Sequence, residues 1–331
     1  MTTLPGETAA GDAARHDQDG GPPLAVHVSG LVKSYGGVTA VNGIDLDIRR
    51  GEIFALLGPN GAGKTTTVEI LEGYRSRDGG EVTVLGYDPA RQRARLKSQI
   101  GIVLQSTGVE RYLTVAETVR MYAGYYPDPR PVDEVIGLVG LEAKRDSRVS
   151  KLSGGQQRRL DVAIALAGNP ELLFLDEPTT GFDPSARRES WEVIKNLANL
   201  GKTVLLTTHY MDEAQYLADR VAVISAGRIV AEGDPATLAD RELARAQVRY
   251  RLPAGTTPPP GLGGPAGPDG FTGFAPDDVT LALHQLTGWA LEQRVALDGL
   301  EVTRPSLEDV YLSLTGDAPG SEAGREDGGR A

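Results

Sequence analysis

The chain has 331 residues and 40% hydrophobic content, enough for one large domain and a smaller one. Zero cysteines exclude a disulfide framework, a thiolate nucleophile and a cysteine zinc site. The four histidines form no i, i+4 pair, so any metal must be held by oxygen. A net charge of −11 argues against a nucleic-acid surface.

In chain order, residues 1–24 are Gly, Ala, Pro and charge without a period and read as a disordered tail. They contain no apolar signal core, and no stretch in the chain approaches the roughly 18 apolar residues of a membrane span, so a cytoplasmic location is expected. LAVHVSGLVKSYGG and GIDLDIRRGEIFALLG read as strands feeding a glycine loop. That loop, GPNGAGKT at Gly58–Thr65, fits G-x-x-x-x-G-K-[ST] between an apolar strand and a helix, the context a phosphate loop requires. The glycines Gly58, Gly61 and Gly63 let backbone N–H groups converge on phosphate oxygens beside a helix N-terminus. Lys64 then reaches the β- and γ-phosphates, and the Thr65 hydroxyl ligates Mg²⁺.

Beyond it, KTTTVEILEGY reads as a helix, EVTVLG and IGIVLQ as strands, and about 106–167 as a helical insert. ELLFLD and KTVLLTT flank the helical SARRESWEVIKNLANLG, the βαβ rhythm of a buried parallel sheet. ELLFLDEP puts Asp176 and Glu177 at a strand's carboxyl end, where open α/β sheets hold ligands. Asp176 would face the Mg²⁺ shell, and Glu177 would polarise the water that attacks the γ-phosphate. On its own such a pair would more commonly be an acidic helix cap; the upstream phosphate loop in the right order favours the catalytic reading. VAVISAGRIVAEG reads as a hairpin turning at Ala226-Gly227.

From about residue 243 to 315 the pattern is that of a small α+β domain. AQVRYRL and DVTLALH alternate like strands on either side of a Pro/Gly-rich loop, 253–276, which could be a mere spacer. SLEDVYLSLTG reads as a closing helix with Ser306 as N-cap, and 316–331 as a second tail.

LSGGQ, between the phosphate loop and LLFLDE, opens another helix with a serine, two glycines and Gln156, and forms a second candidate anion site. With these three motifs in this order, residues 26–238 resemble the ATP-binding subunits of ABC transporters. The resemblance implies an α/β P-loop NTPase of the ABC-ATPase type, a mixed sheet core with a helical subdomain, within about 25–242. It implies ATP contacts from Gly58, Pro59, Asn60, Gly61, Ala62, Gly63, Lys64, Thr65 and Thr66. Tyr35 matches the aromatic that stacks on adenine, Gln105 the glutamine that touches Mg²⁺ and senses the membrane partner, His209 the γ-phosphate histidine, and Asp183 the aspartate coupling two sites. Read alone, Tyr35 and His209 could be interior residues, Gln105 a surface polar group and Asp183 a helix cap.

Family members dimerise head to tail, so Ser153, Gly154, Gly155 and Gln156 of one subunit would close on the nucleotide of the other. The resemblance also implies a separate membrane permease, docked at the helical insert near Gln105, and a peripheral position on the cytoplasmic face of the membrane, with no nucleic-acid partner expected. In the insert, Tyr112, Tyr122, Tyr125 and Tyr126 could form that patch or lie in the core. LEGYRSRDGG, TTHYMDEAQYLADRVAVI and EVTRPSLEDVYLSLTG are similar to drug-exporter ATPases of the daunorubicin/doxorubicin resistance type. A second class, a clamp ATPase acting on nucleic acid or the ribosome, usually carries two heads, zinc cysteines or a coiled coil; this chain has one head, no cysteine and no sustained heptads.

Overall fold

The computed structural model describes residues 23–103, 108–242, 246–253, 255–267 and 269–303. Gln105, the expected helix at 306–316 and the expected tails other than residues 23 and 24 therefore lie outside the described residues. The chain divides into two compact units after Glu232. This boundary falls ten residues before the one expected at 242.

In the first unit two long strands, β1 (Leu24–Tyr35) and β2 (Val38–Arg49), pair antiparallel, and β4 (Gly79–Val84) adds to the far edge of β1. The second sheet holds six strands. β3 (Ile53–Leu57), β5 (Ile100–Val103), β6 (Leu172–Asp176), β7 (Thr203–Thr208), β8 (Arg220–Ser225) and β9 (Arg228–Gly233) lie in the order β5-β6-β7-β3-β8-β9. Every residue of β3 and β7 is buried, as a parallel strand covered on both faces requires. Parallel pairing of β6 with β7 and of β7 with β3 brings the carboxyl ends of these three strands side by side. The expected hairpin is present: Ala226 (φ 48°) and Gly227 (φ 76°) both adopt the left-handed conformation of a two-residue turn between β8 and β9.

Helices α1 (Lys64–Leu71), α2 (Arg93–Lys97), α6 (Pro184–Asn199) and α7 (Met211–Leu217) alternate with these strands. α6 buries Ser190, Trp191, Val193, Ile194 and Leu197, the spacing of one helical face. Between β5 and β6 stand α3 (Val115–Ala123), α4 (Val132–Leu138) and α5 (Gly154–Leu166). Thr114 caps α3 in a capping box with Glu117, so this insert carries its own local stop and start signals. Of its tyrosines, Tyr112 and Tyr125 are exposed, whereas Tyr122 and Tyr126 are half-buried.

The second unit holds α8 (Pro235–Glu242), β10 (Gln247–Arg251), β11 (Thr272–Phe274), α9 (Val279–Gln293) and β12 (Asp298–Thr303), with β10 central in the order β11-β10-β12. One expectation fails here: DVTLALH is not a strand but the first turns of α9. Asp278 caps that helix by accepting from the Leu281 amide at 3.0 Å, and Ala282, Leu286 and Ala290 recur every four residues on its buried side. The Pro/Gly loop is no spacer either. Leu262 is buried against Tyr250, whose hydroxyl donates to the Leu262 carbonyl at 2.5 Å.

Candidate nucleotide-binding and hydrolysis site

The phosphate loop is packed so closely that side chains are excluded from two of its positions. A Cβ on Gly58 would overlap the Ile224 carbonyl oxygen on β8, and one on Gly63, at φ 108°, would overlap the Ala40 carbonyl oxygen on β2. The Gly227 amide donates to the Ala62 carbonyl at 2.9 Å, and the Thr67 hydroxyl to the Gly63 carbonyl at 2.9 Å. The loop is thus fixed from three sides, while Asn60, Gly61 and Thr65 stay exposed along its crown and Pro59 and Thr66 half-exposed.

Lys64 is only 6% exposed. Its ammonium donates to the Gly58 carbonyl at 2.6 Å and the Pro59 carbonyl at 3.2 Å. Burial holds its pKa below the usual lysine range, opposed by the charges of Glu177 and Asp176. A buried ammonium set beside the glycine loop offers a charge partner to a polyphosphate.

At the neighbouring strand ends, Asp176 Oδ1 accepts from the Thr207 hydroxyl at 2.6 Å. Glu177 adopts φ 45°, a left-handed backbone that few non-glycine residues take. Its amide donates to the Thr207 carbonyl and to Thr207 Oγ1, both at 3.1 Å. Its carboxylate accepts from the Thr180 hydroxyl at 3.1 Å and lies 3.3 Å from His209 Nδ1. His209 is one-third exposed and not an interior histidine. Lys64, Asp176, Glu177 and His209 thus lie together at the carboxyl ends of these strands.

The other expected contacts are peripheral. Tyr35 ends β1 with its ring exposed, Lys33 Nζ 5.3 Å and the Arg75 guanidinium carbon 5.6 Å from its centroid. Asp183 is the N-cap of α6, accepting from the Ser185 amide at 2.9 Å and the Ala186 amide at 3.0 Å. Ser153 caps α5 in a reciprocal box: its hydroxyl accepts from the Gln156 amide at 3.3 Å, and its amide donates to the Gln156 side chain at 3.0 Å. Ser153 and Gly154 are exposed, and no hydrogen bond among the described residues joins 153–156 to the phosphate loop.

Three contributors carry no mark in the sequence that singles them out. Thr207 orients both acids from β7. Arg158 on α5 donates to the carbonyls of Pro178 at 3.0 Å and Asp176 at 3.1 Å. Glu213 on α7, fully buried, accepts from Thr179 Oγ1 at 2.7 Å and Trp191 Nε1 at 3.0 Å, pinning the segment after Glu177; burial pushes its carboxyl pKa up. No local signal marks Thr207 or Glu213, because their partners come from other elements. Arg158, six residues beyond the Leu152 that opens LSGGQ, could have been suspected as a cation on a helix beside the site.

A family model described as ABC transporter matches residues 41–180. The Nod factor export ATP-binding protein I of Sinorhizobium fredii (strain NBRC 101917 / NGR234) is 41% identical over 310 residues, covering 88% of this chain and 86% of that protein. The chain belongs to the ABC transporter ATP-binding proteins. Among solved structures, CbiO1 from Clostridium perfringens, part of the ABC transporter complex CbiONQ, is 30% identical with a TM-score of 0.61, over 66% of this chain and 92% of that one. The ATP-binding cassette MJ0796, in a dimeric post-hydrolysis state bound to ADP and Pi, is 27% identical with a TM-score of 0.56, over 63% and 98%. This ATPase binds nucleotide and hydrolyses ATP. Among its described residues no helix is long and apolar enough to cross a membrane.

Proposed function

We propose that this ATPase is the energy-supplying subunit of a membrane exporter, acting on the cytoplasmic face as a pair of copies bound to a separate permease. Its cargo is a drug or another hydrophobic small molecule. The export reading is supported by the relative from Sinorhizobium fredii, a Nod factor export protein whose similarity runs over 88% of this chain and so extends past the catalytic unit. Tyr112, Met121 and Tyr125, exposed on the helical insert, supply the apolar surface on which a permease helix would sit.

In this reading the phosphate loop of one copy and Ser153, Gly154, Gly155 and Gln156 of the other enclose each ATP, with Tyr35 against the adenine and Asp183 at the junction of the two sites. The donor set is hard oxygen: Thr65, Asp176 and Gln105 would hold Mg²⁺ together with phosphate oxygens. A site with so few protein carboxylates suits a cation that keeps its waters. When bound, Mg²⁺ would neutralise charge on the phosphates. Glu177 polarises the attacking water, His209 holds the γ-phosphate and orients Glu177, and Lys64 draws charge from the β- and γ-oxygens. Loss of the γ-phosphate removes the contact that both copies share, and the pair opens.

The observation that carries this reading is the left-handed Glu177, held by Thr207 and Thr180 within 3.3 Å of His209. Glu177→Gln should lower turnover at least about 100-fold while ATP traps a dimer on size exclusion. A variant that stays monomeric with ATP would overturn it.

A further inference from the structure

Arg158 is 8% exposed, and its role is not explained by packing alone. It stands just over one turn into α5, the helix whose N-terminus is capped by Ser153. Its guanidinium spreads under the turn that follows β6. Nε donates to the Pro178 carbonyl at 3.0 Å and Nη2 to the Asp176 carbonyl at 3.1 Å, with the Glu177 carbonyl 3.5 Å from Nη2. Three consecutive carbonyl dipoles therefore face one cation. They converge because Glu177 is left-handed, and a planar, multi-donor guanidinium is the side chain whose shape fills such a cup. Asp161, one turn further along α5, lies 3.7 Å from Nη1 and balances the charge inside the protein.

We propose that Arg158 is a positioning residue for Glu177, and that it ties the helix behind the Ser153 cradle to the base that activates water in the same chain. The proposal rests on the roles proposed for Glu177 and for the Ser153 cradle. Glu177 is gripped from opposite elements: from β7, Thr207 takes its amide, and from α5, Arg158 takes the carbonyls on its other side. A displacement of α5 when the cradle meets the partner's nucleotide is thereby delivered to the Glu177 backbone. Water activation in one site then depends on whether the same chain's cradle is engaged in the other.

The test uses the full-length chain with Arg158→Gln and Arg158→Lys, reading kcat, KM, the Kd of a fluorescent ATP analogue and thermal unfolding. Arg158→Gln should lower kcat per folded protein about 100-fold with Kd and KM within about threefold, because the base is misplaced while the phosphate loop is intact. Arg158→Lys keeps the cation but loses the fork, and should recover only part of the loss, to a kcat about three- to tenfold below the parent. A parent-like kcat per folded protein in either variant overturns the proposal. So does a parallel loss of kcat and Kd, the mark of a purely structural role. If Arg158→Gln does not fold, Arg158→Lys decides: a kcat about three- to tenfold below the parent with unchanged Kd supports the role, an unchanged kcat removes it. Glu177→Gln run alongside separates the two levels. Failure to trap a dimer brings down the two-copy reading, whereas a trapped dimer with full Arg158→Gln turnover brings down only the role of Arg158.

Discussion

At Gly63 a Cβ would run into the Ala40 carbonyl oxygen, whereas at Gly154 it would meet nothing within 4 Å and at Gly155 only Ala186 at 3.7 Å. Both glycine-rich turns open onto the start of a helix, yet one is walled in by β2 and β8 and holds a buried lysine, and the other is open to solvent. The difference is between a cradle finished inside the subunit and one that, in the function proposed above, is completed by a second copy. The glycines serve different ends: conformational and steric necessity in the first, bare accessible N–H groups in the second.

The largest effect expected of this contrast is at Gly63. Gly63→Ala forces a side chain into a left-handed backbone and against a carbonyl, and should cost about 3–5 kcal/mol in denaturant unfolding and abolish binding of a fluorescent ATP analogue. In the open cradle, Gly154→Ala should leave unfolding within about 1 kcal/mol of the parent and the affinity of the monomer for that analogue unchanged. ATP turnover should nevertheless fall at least about 30-fold, because the N–H groups can no longer be approached closely. Equal stability losses at the two glycines would dissolve the distinction.

A smaller effect sharpens it by pH. The helix of the closed cradle ends on Glu72, 3% exposed, whose pKa is pushed up to about 8, chiefly by burial and then by the charges of Asp176 and Glu69. A carboxyl pKa raised in the folded state means stability that is complete below about 4.5 and is lost as pH rises through about 8. Glu72→Gln should therefore gain about 2 kcal/mol over the parent at pH 8.5 and lose that advantage towards pH 4.5, as followed by urea unfolding. A gain independent of pH would mean that the carboxyl is not the cause.

Much of the site was legible because its determinants are local. IFALL ahead of Gly58 and LLFLD ahead of Glu177 announce strands by composition, and the residues next in the chain sit at each strand's carboxyl end by geometry. Thr207 was illegible, and Arg158 no more than a cation to suspect, for the opposite reason: their meaning depends on β7 lying beside β6 and on α5 running beneath the same turn, facts of packing that a single sequence does not state. DVTLALH shows the limit of short windows. Val279, Leu281 and Leu283 alternate like a strand, and only the buried series Ala282, Leu286 and Ala290, extending past that window, together with the Asp278 cap, identifies a helix. Composition likewise left the role of 253–276 open, and one leucine and one carbonyl among the prolines and glycines decide it.

That loop has a consequence for how the second unit can be handled. Because Leu262 closes over Tyr250, and Gly263 at φ 155° packs against Thr272, the segment is bolted to the sheet at its middle and not only at its ends. A protease should find its flanks more accessible than its centre, and shortening it to a tight hairpin would leave a tyrosine hydroxyl without its acceptor in an apolar interior. Sequence that looks like filler is here a keystone.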